Sequence, residues 1–261
     1  MSGTPGTPST KALDTKAPEA NPRRGFLSVA AAGLGGVFIA PGIQLMTVAH
    51  AATPTNALSA GANPQVRWGM LIDAGKCVEG CSDCVSACNT ENGLNPTVSP
   101  TSAQWIRKIE IKQISTGRTA SAPVMCQHCA EPPCVDVCPT GASFKRADGI
   151  VLVDRHSCIG CRYCMMACPY KARSFVHEEL SEQVADVPRG KGCVESCTLC
   201  VHRLDQGDKT TACAQACSHG AILFGDLNDA SSDIARKVRE IQTTQLRADL
   251  KLDPGVRYHG L

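Results

Sequence analysis

Residues 149–173 read GIVLVDRHSCIGCRYCMMACPYKAR, and the cysteines in this stretch decide the fold. Their spacing, C-x2-C-x2-C-x3-C, is formed by Cys158, Cys161, Cys164 and Cys168. This spacing is typical of 4Fe-4S clusters, in which three thiolates of a tight loop bind one cluster and the fourth binds the other cluster of a pair. We therefore expect Cys168 to bind a different cluster from the other three. Pro169 lacks an N–H and restrains its predecessor, so a helical turn should end there and a strand should follow.

Zinc and haem are the other metal groups that closely spaced cysteines bind. A tetrahedral zinc site needs two C-x2-C pairs, so a third cysteine and a fourth before proline would have no role in it. A c-type haem needs a histidine directly after a C-x2-C pair, and no such pair in the chain is followed by one. The spacing therefore favours iron–sulfur clusters.

The composition predicts a thin hydrophobic core, because only 4% of the 261 residues are aromatic while 17 are cysteine. Chains with thin cores usually gain stability from disulfides or from metal. Cysteines two or three residues apart cannot all pair within disulfide geometry, and an odd total leaves one thiol unpaired. Metal is thus favoured, and a secreted binding module held by disulfides is the alternative.

The N-terminus resembles a twin-arginine export signal. Residues 1–22 are rich in Pro, Thr and Ala and are expected to be disordered. Arg23 and Arg24 precede an apolar stretch interrupted by glycines, and the AHA that ends at Ala51 matches an A-x-A cleavage pattern. We expect residues 1–51 to be this signal, cleaved after its last residue. Because the apolar stretch approaches roughly 20 residues, a membrane anchor is the alternative.

An export signal of this kind has consequences for the rest of the chain. The twin-arginine route carries folded proteins, so clusters can be inserted before export. Without residues 1–51 the basic and acidic side chains are equal in number, which gives no basic patch for nucleic acid. No later segment is long and apolar enough to span a bilayer, so we expect membrane contact through partners only. The glycines at 33–36 belong to the signal and follow no strand, so they do not form a nucleotide loop.

The first cysteine group follows a strand-like run, VRWGMLID at 66–73. Its first step is one residue wider than in the central stretch, and Gly80 can absorb the insertion by turning the chain. A second predicted strand, QWIRKIEIK at 104–112, alternates apolar and charged residues. The group consists of Cys77, Cys81, Cys84 and Cys88.

The second group ends in Cys-Pro, as the central stretch does. Pro132 and Pro133 stiffen its longest step. Two short predicted strands within SFKRADGIVLVD, at 143–154, then link the second group to the third, and Asp148-Gly149 is the signal for a two-residue hairpin turn between them. The group consists of Cys126, Cys129, Cys134 and Cys138.

The fourth group is split and holds one cysteine more than four. Its CVESCTLC repeats the CVEGCSDC of the first group, which indicates an internal duplication of cluster-binding units. Sixteen thiols suffice for four clusters, so one is spare: Cys193 is preferred, and Cys77 stays open because the repeat aligns the two. The group consists of Cys193, Cys197, Cys200, Cys213 and Cys217.

The C-terminal region predicts packing elements rather than chemistry. AILFGDL, at 221–227, is strand-like. A helix is expected from Ser231 to Ile241, with Asn228, Asp229 or Ser231 as its cap. The tail LDPGVRYHGL is expected to be an extended arm docked on the rest of the chain.

Several polar residues near the cysteines could be mistaken for ligands or catalysts. His128 is expected to be a packing or hydrogen-bonding residue, because Rieske sites need two histidines in place of two cysteines. The chain has no nucleophile elbow and no phosphate loop, so we expect a conductor of electrons and not an enzyme. Six basic residues near the cysteines either lie on the solvated surface or raise cluster potentials; they are Arg155, Arg162, Lys171, Arg173, Lys191 and Arg203.

The second and third groups, MCQHCAEPPCVDVCPTGA and DGIVLVDRHSCIGCRYCMMACPY, resemble the four-cluster ferredoxin-like subunits of complex iron–sulfur oxidoreductases, such as the beta subunits of dimethyl sulfoxide and polysulfide reductases. This resemblance implies an α+β fold of short strands and helical turns, stabilised by its clusters. It implies two interleaved units, 66–115 with 190–230 and 121–180, followed by a C-terminal helix and docking arm at 231–261.

The resemblance also implies four 4Fe-4S clusters with crossed ligands. The two clusters of groups two and three would take one set each, Cys126, Cys129, Cys134 and Cys168, and Cys158, Cys161, Cys164 and Cys138. The clusters of groups one and four would take Cys77, Cys81, Cys84 and Cys217, and Cys197, Cys200, Cys213 and Cys88.

Within that family, the export signal, RWGMLIDAGKCVEGCSDCVSACNTENG and WIRKIEIK look like the periplasmic DsrO-type subunit of the membrane complex associated with dissimilatory sulfite reductase. This implies a membrane-associated periplasmic electron carrier in sulfur metabolism. Its implied partners are an integral quinone-interacting subunit, a periplasmic multihaem cytochrome, and other iron–sulfur and haem subunits. The alternative is the beta subunit of an exported molybdopterin oxidoreductase, such as polysulfide or tetrathionate reductase.

Overall fold

The computed structural model describes residues 37–40, 43–45, 61–95, 101–181 and 183–261. The chain divides into two compact units, Met1–Pro54 and Thr55–Leu261. In the first unit, strands β1 (Val37–Ala40) and β2 (Ile43–Leu45) pair antiparallel. The arginine pair and the cleavage pattern of the predicted export signal lie outside the described residues.

The second unit has an α+β fold of small helices and short strands. Its strands are β3 (Trp68–Asp73), β4 (Ile106–Lys112), β5 (Thr119–Met125), β6 (Ser143–Lys145), β7 (Val151–Val153), β8 (Ser174–Phe175), β9 (Val194–Glu195), β10 (Ile222–Asp226) and β11 (Val256–His259). Its α-helices are α1 (Asp83–Glu91), α2 (Pro133–Asp136), α3 (Tyr163–Ala167), α4 (Val201–Asp205), α5 (Ala212–Gln215) and α6 (Asp233–Glu240), and a 3-10 turn covers Ala248–Leu250.

A three-stranded sheet joins distant parts of the second unit in the order β10-β3-β11. Strand β10, which follows the fourth cysteine group, runs antiparallel to β3, which precedes the first, with Ile222 opposite Ile72. Strand β11 pairs parallel with β3 on its other edge. The predicted tail arm is therefore docked, as the edge strand of this sheet.

Three two-stranded ladders complete the strand pairing in the described chain. They are antiparallel: β4 with β5, β6 with β7, and β8 with β9. The β6–β7 hairpin confirms the predicted link between groups two and three, but the two-residue turn is wrong. Arg146 N–H donates to the Ile150 carbonyl, so the loop is the three residues 147–149. Gly149, at φ +86°, supplies the left-handed position that such a loop needs.

The other sequence-predicted elements are present with small shifts at their ends. The first two predicted strands begin at Trp68 and Ile106, each two residues late. Helix α6 ends at Glu240, and its cap is Ser232 rather than the predicted residues. The Ser232 hydroxyl accepts a hydrogen bond from the Ala235 N–H at 3.1 Å, which satisfies one free donor of the first turn. A two-residue strand, β8, follows the Cys-Pro step as predicted.

The hydrophobic core is built in part from cysteines. The main cluster of buried residues packs Met70, Ile72, Met125, Ile150 and Tyr258 together with seven cysteine side chains. Those cysteines are Cys84, Cys88, Cys126, Cys129, Cys168, Cys197 and Cys213. The elements around the core are thus arranged about the thiols. Among the described residues, no helix has the length and apolar character to cross a membrane.

Candidate metal centres

The structure brings sixteen of the cysteines together in four sets, and each set draws on two of the sequence groups. All 17 cysteines are free thiols, so no disulfide links them. The four sets, named A to D below, have the membership that the family resemblance implies.

Set A lines a cavity with about 300 Å³ of empty space. The loop between α2 and β6 provides one of its thiols, and the loop that ends in α3 provides the other three. That loop turns sharply because Gly160 has φ +70° and Arg162 has φ +64°. The members of set A are Cys138, Cys158, Cys161 and Cys164.

Set B lines a second cavity, also with about 300 Å³ of empty space. Three of its thiols come from the turn around the start of α2, and the fourth comes from the C-terminal end of α3. There the extended backbone of Cys168, with φ −72° and ψ 113°, ends the helix before Pro169. The members of set B are Cys126, Cys129, Cys134 and Cys168.

Set C is identified by mutual electrostatic contact and by burial. The Cys88 thiol interacts with those of Cys200 and Cys213, and the Cys197 thiol interacts with those of Cys88 and Cys213. Helices α1 and α5, which carry two of these residues, pack against each other. The members of set C, all buried, are Cys88, Cys197, Cys200 and Cys213.

Set D lines a cavity with about 290 Å³ of empty space. It combines three thiols of the first sequence group with one that follows α5. Gly80, at φ +74°, turns the loop at the wider first step, as predicted. The members of set D are Cys77, Cys81, Cys84 and Cys217.

The four sets differ in their exposure to solvent. All thiols of sets B and C are buried. Cys161 of set A is exposed, and Cys138 and Cys158 are partly exposed. Set D has three partly exposed thiols, Cys77, Cys81 and Cys217. Sets A and D therefore reach the surface, whereas sets B and C lie inside.

Cys193 lies outside all four sets. Its thiol is buried and donates to the Arg155 carbonyl at 3.3 Å. Cys77, the other cysteine that the sequence left open, lines the cavity of set D. The structure thus places Cys193 apart from the other sixteen thiols.

The donor chemistry of the sets fits iron–sulfur clusters. Each set presents four thiols, and three cavities have nearly the same empty volume. Backbone N–H groups point at the sulfurs, as from Ser143 to Cys138 Sγ at 3.3 Å and from Ala221 to Cys217 Sγ at 3.3 Å. A zinc ion would draw its ligands to about 2.3 Å from one point. Among the described residues, no three His, Cys, Asp or Glu side chains converge closely enough to hold a single ion.

The pKa values of the thiols indicate what kind of group belongs between them. Burial, and next the neighbouring thiols, raise the pKa of Cys84 and of Cys129 to about 12. Burial also raises the pKa of Cys200 to about 11. Buried thiolates gathered in this way need cations among them. The iron of a 4Fe-4S cluster supplies such cations.

The basic residues singled out from the sequence differ in their surroundings. Arg173 is buried, and its Nη2 donates to Cys134 Sγ at 3.1 Å. Arg203 instead pairs with Glu91, and Lys191 pairs with Glu179 on the surface. Arg162 lies over the Phe175 ring, 3.8 Å from its centroid. Proximity in sequence therefore did not predict which cation faces the thiols.

His128 has the packing role that the sequence predicted. It is fully buried, and its Nδ1 accepts a hydrogen bond from the Val151 N–H at 3.0 Å. Burial lowers the pKa of His128 to about 3, so the ring is neutral near pH 7. This histidine belongs to the packing between β7 and the turn of set B.

Three residues beside the sets were missed by sequence reasoning. Lys108, on β4, donates from Nζ to the carbonyls of Val78 and Cys81 in the loop of set D. Asn92 donates to Cys88 Sγ in set C at 3.5 Å. Tyr170 hydrogen-bonds Cys129 in set B. The alternation in β4 put Lys108 on its polar face but gave no sign of what that face meets.

Comparisons with known proteins agree with this arrangement. Residues 118–227 match the family described as a 4Fe-4S dicluster domain. The chain is 37% identical to the Hdr-like menaquinol oxidoreductase iron-sulfur subunit 1 of Archaeoglobus fulgidus, over 90% of this chain and 97% of that protein. It is 37% identical to the tetrathionate reductase iron–sulfur relative of Salmonella typhimurium, the B component of that enzyme, over 84% and 83%. It is 34% identical to the menaquinone reductase iron-sulfur cluster-binding subunit of Nitratidesulfovibrio vulgaris, over 74% and 89%.

Proposed function

Because this chain belongs to the family of 4Fe-4S iron–sulfur subunits of oxidoreductase complexes, we propose that each of its four cysteine sets binds one 4Fe-4S cluster. The chain is an electron-transfer subunit and is not itself catalytic. The observation that carries the proposal is the crossing of the sets, in which α3 provides Cys164 to one cavity and Cys168 to the other. Bound clusters supply one-electron redox chemistry over a wide range of potentials.

The four sets form a line in the order A, B, C, D. Arg173 lies between sets A and B, where it interacts with Cys164 and Cys134. Cys197 of set C interacts with Cys126 of set B, and Cys84 of set D interacts with Cys213 of set C. The two ends of this line reach the surface, and its middle is buried. The line therefore forms a path for single electrons from one surface of the protein to another.

The line corresponds to two interleaved ferredoxin-like units. Sets A and B belong to the unit 121–180, whose two cysteine groups the β6–β7 hairpin joins. Sets C and D belong to the unit formed by 66–115 and 190–230, which the pairing of β3 with β10 ties together. The extra thiol, Cys193, is not a ligand in this proposal.

The electrons pass between a quinone-interacting membrane subunit and a haem protein. Relatives are named as subunits of menaquinol oxidoreductase and menaquinone reductase, which supports a quinone-interacting partner. We place the chain in a periplasmic complex of the DsrO type, associated with sulfite reductase, with a multihaem cytochrome and further iron–sulfur and haem subunits. The twin-arginine motif supports export by that route, and contact with the membrane is through the partners.

A second assignment is the beta subunit of an exported molybdopterin oxidoreductase. The observation that favours it is the likeness to the B component of tetrathionate reductase. Both assignments use the same four clusters and differ in the partner at one end of the line.

The test is to purify the tagged full-length chain from the membranes of its own organism and to identify what accompanies it. Co-purification of a cytochrome and a quinone-interacting membrane protein, with about sixteen irons per chain, is the expected result. A large molybdopterin subunit in their place would establish the second assignment. A folded chain without iron would contradict both.

A further inference from the structure

Arg173 occupies a buried position between two cysteine sets. Its side chain is 5% exposed, and Nη2 donates to Cys134 Sγ of set B at 3.1 Å. Its charge also acts on Cys164 of set A, with which it shares a hydrogen bond. A separate small core packs Cys134 and Cys164 together with Val151 and Val194. One guanidinium therefore serves both sets.

Two of the donor atoms of Arg173 lack a partner in the described protein. The buried Nε and Nη1 have no hydrogen-bond acceptor there. A guanidinium offers five N–H donors and cannot lose its proton, so leaving donors unmade in the interior is strongly destabilising. The side chain is retained in this place only if an anionic acceptor faces it.

The charges around Arg173 identify that acceptor. Burial by itself lowers the pKa of Arg173, but the Cys134, Cys126 and Cys164 thiols outweigh burial and raise the pKa. Other buried or half-buried arginines of the chain have carboxylate partners, as Arg189 has Glu195 and Arg203 has Glu91. Arg173 differs because the groups that stabilise its charge are all cysteines that line clusters in the proposed function.

We infer that Arg173 is a positioning residue that sets the reduction potentials of both clusters of the unit 121–180. The inference rests on the proposed function. A cluster held by four thiolates is anionic and becomes more so on reduction, and its potential depends on net charge and on hydrogen bonds to its sulfurs. Arg173 therefore stabilises the state in which an electron has reached set A or set B. It also offsets the repulsion between neighbouring electrons, because the same cation faces both sets.

Sets C and D are expected to be independent of Arg173. Set C has the neutral amide of Asn92 beside Cys88, and set D has Lys108 bound to loop carbonyls. Removal of Arg173 should thus divide the four clusters into an affected pair and an unaffected pair.

The experiment compares Arg173→Gln and Arg173→Lys with the wild-type chain in its purified complex. The control is Arg236→Gln, which removes the same charge from the exposed face of α6. Each cluster is followed by electron paramagnetic resonance during a potentiometric titration. In Arg173→Gln, two of the four clusters should become at least tenfold harder to reduce, which corresponds to about 59 mV each for one electron. The lysine variant should shift the same two clusters less, because it keeps the charge and loses the planar fork.

The inference is overturned if all four potentials in Arg173→Gln match those of Arg236→Gln, or if one cluster alone shifts. If the glutamine variant loses clusters, the lysine variant decides. Retained clusters with a smaller shift in two of them support the inference, and equal loss in both variants contradicts it. Absence of iron from the wild-type complex would be a failure of the proposed function itself, which the titration of a loaded wild type distinguishes from a failure of the role of Arg173.

Discussion

Cys164 and Cys168 flank the same short helix, α3, yet they line different cavities. At a rise of about 1.5 Å per residue, their Cα atoms are separated by only about 6 Å along the helix axis. The extended backbone at Cys168 then turns its thiol out of the helix. A single helical turn thus holds two cavities side by side, which keeps the path for an electron between them short.

The crossing of ligands predicts which cluster each cysteine variant loses. Cys168→Ser should remove the cluster of set B and leave that of set A, although its sequence neighbours belong to set A. Cys138→Ser should have the reciprocal effect. Each variant should lose about a quarter of the iron, with a different electron paramagnetic resonance signal missing. Loss of the same signal in Cys168→Ser and Cys164→Ser would show that the sets are not crossed.

The position of Cys193 outside the sets predicts a nearly silent substitution. A serine hydroxyl can still donate to the Arg155 carbonyl, so Cys193→Ser should keep all its iron and change stability by about 1 kcal/mol or less. The matched variant is Cys77→Ser, which should lose the cluster of set D. Iron analysis of the two proteins is the measurement. A loss of iron in Cys193→Ser with full content in Cys77→Ser would reverse the assignment of the spare thiol.

Gly160 offers a test of the loop geometry in set A. A Cβ there would overlap the Gly192 carbonyl oxygen and press on the Phe175 ring. The control is Gly117→Ala, which has the same φ of +70° but open space around the added carbon. The control should lose about 1–2 kcal/mol from backbone strain alone. Gly160→Ala should lose more and bleach at a lower temperature, with set A depleted of iron. Equal bleaching temperatures would mean that the loop accommodates the methyl group.

The first and last groups of the chain could be matched to the structure only in part from sequence. Spacing within each group located the thiols, because three of four ligands of a set lie within a few residues. Periodicity located β3, β4, β10 and α6. The two-residue turn and the cap of α6 were wrong, because a serine or an Asp-Gly pair fits several local geometries with similar energies. Only the structure distinguishes Ser232 from the Ser231 beside it.

The surroundings of the sets could not be predicted, since they depend on contacts between distant segments. Arg173 and Arg203 look alike in sequence, but one meets Cys134 and the other meets Glu91, which is 112 residues away. The pairing of β11 with β3 likewise joins the last strand to the first strand of the second unit. Spacing arguments carry no information about such long-range neighbours.

Removal of the clusters should unfold the second unit. Its main core contains seven cysteine side chains that face the cavities, so loss of the clusters leaves buried thiols and empty space where packing is needed. Treatment with an iron chelator under reducing conditions should abolish most of the far-ultraviolet circular dichroism. If the cluster-free chain instead stays folded with its sulfurs oxidised in pairs, the binding module held by disulfides would be favoured over the electron carrier.

The most direct test of the whole account is the iron and acid-labile sulfide content of the full-length chain, purified in its complex without exposure to air. Four clusters held by sixteen thiolates predict about sixteen irons and about sixteen sulfides per chain. A well-folded chain that contains zinc, or no metal, would contradict the account at its base.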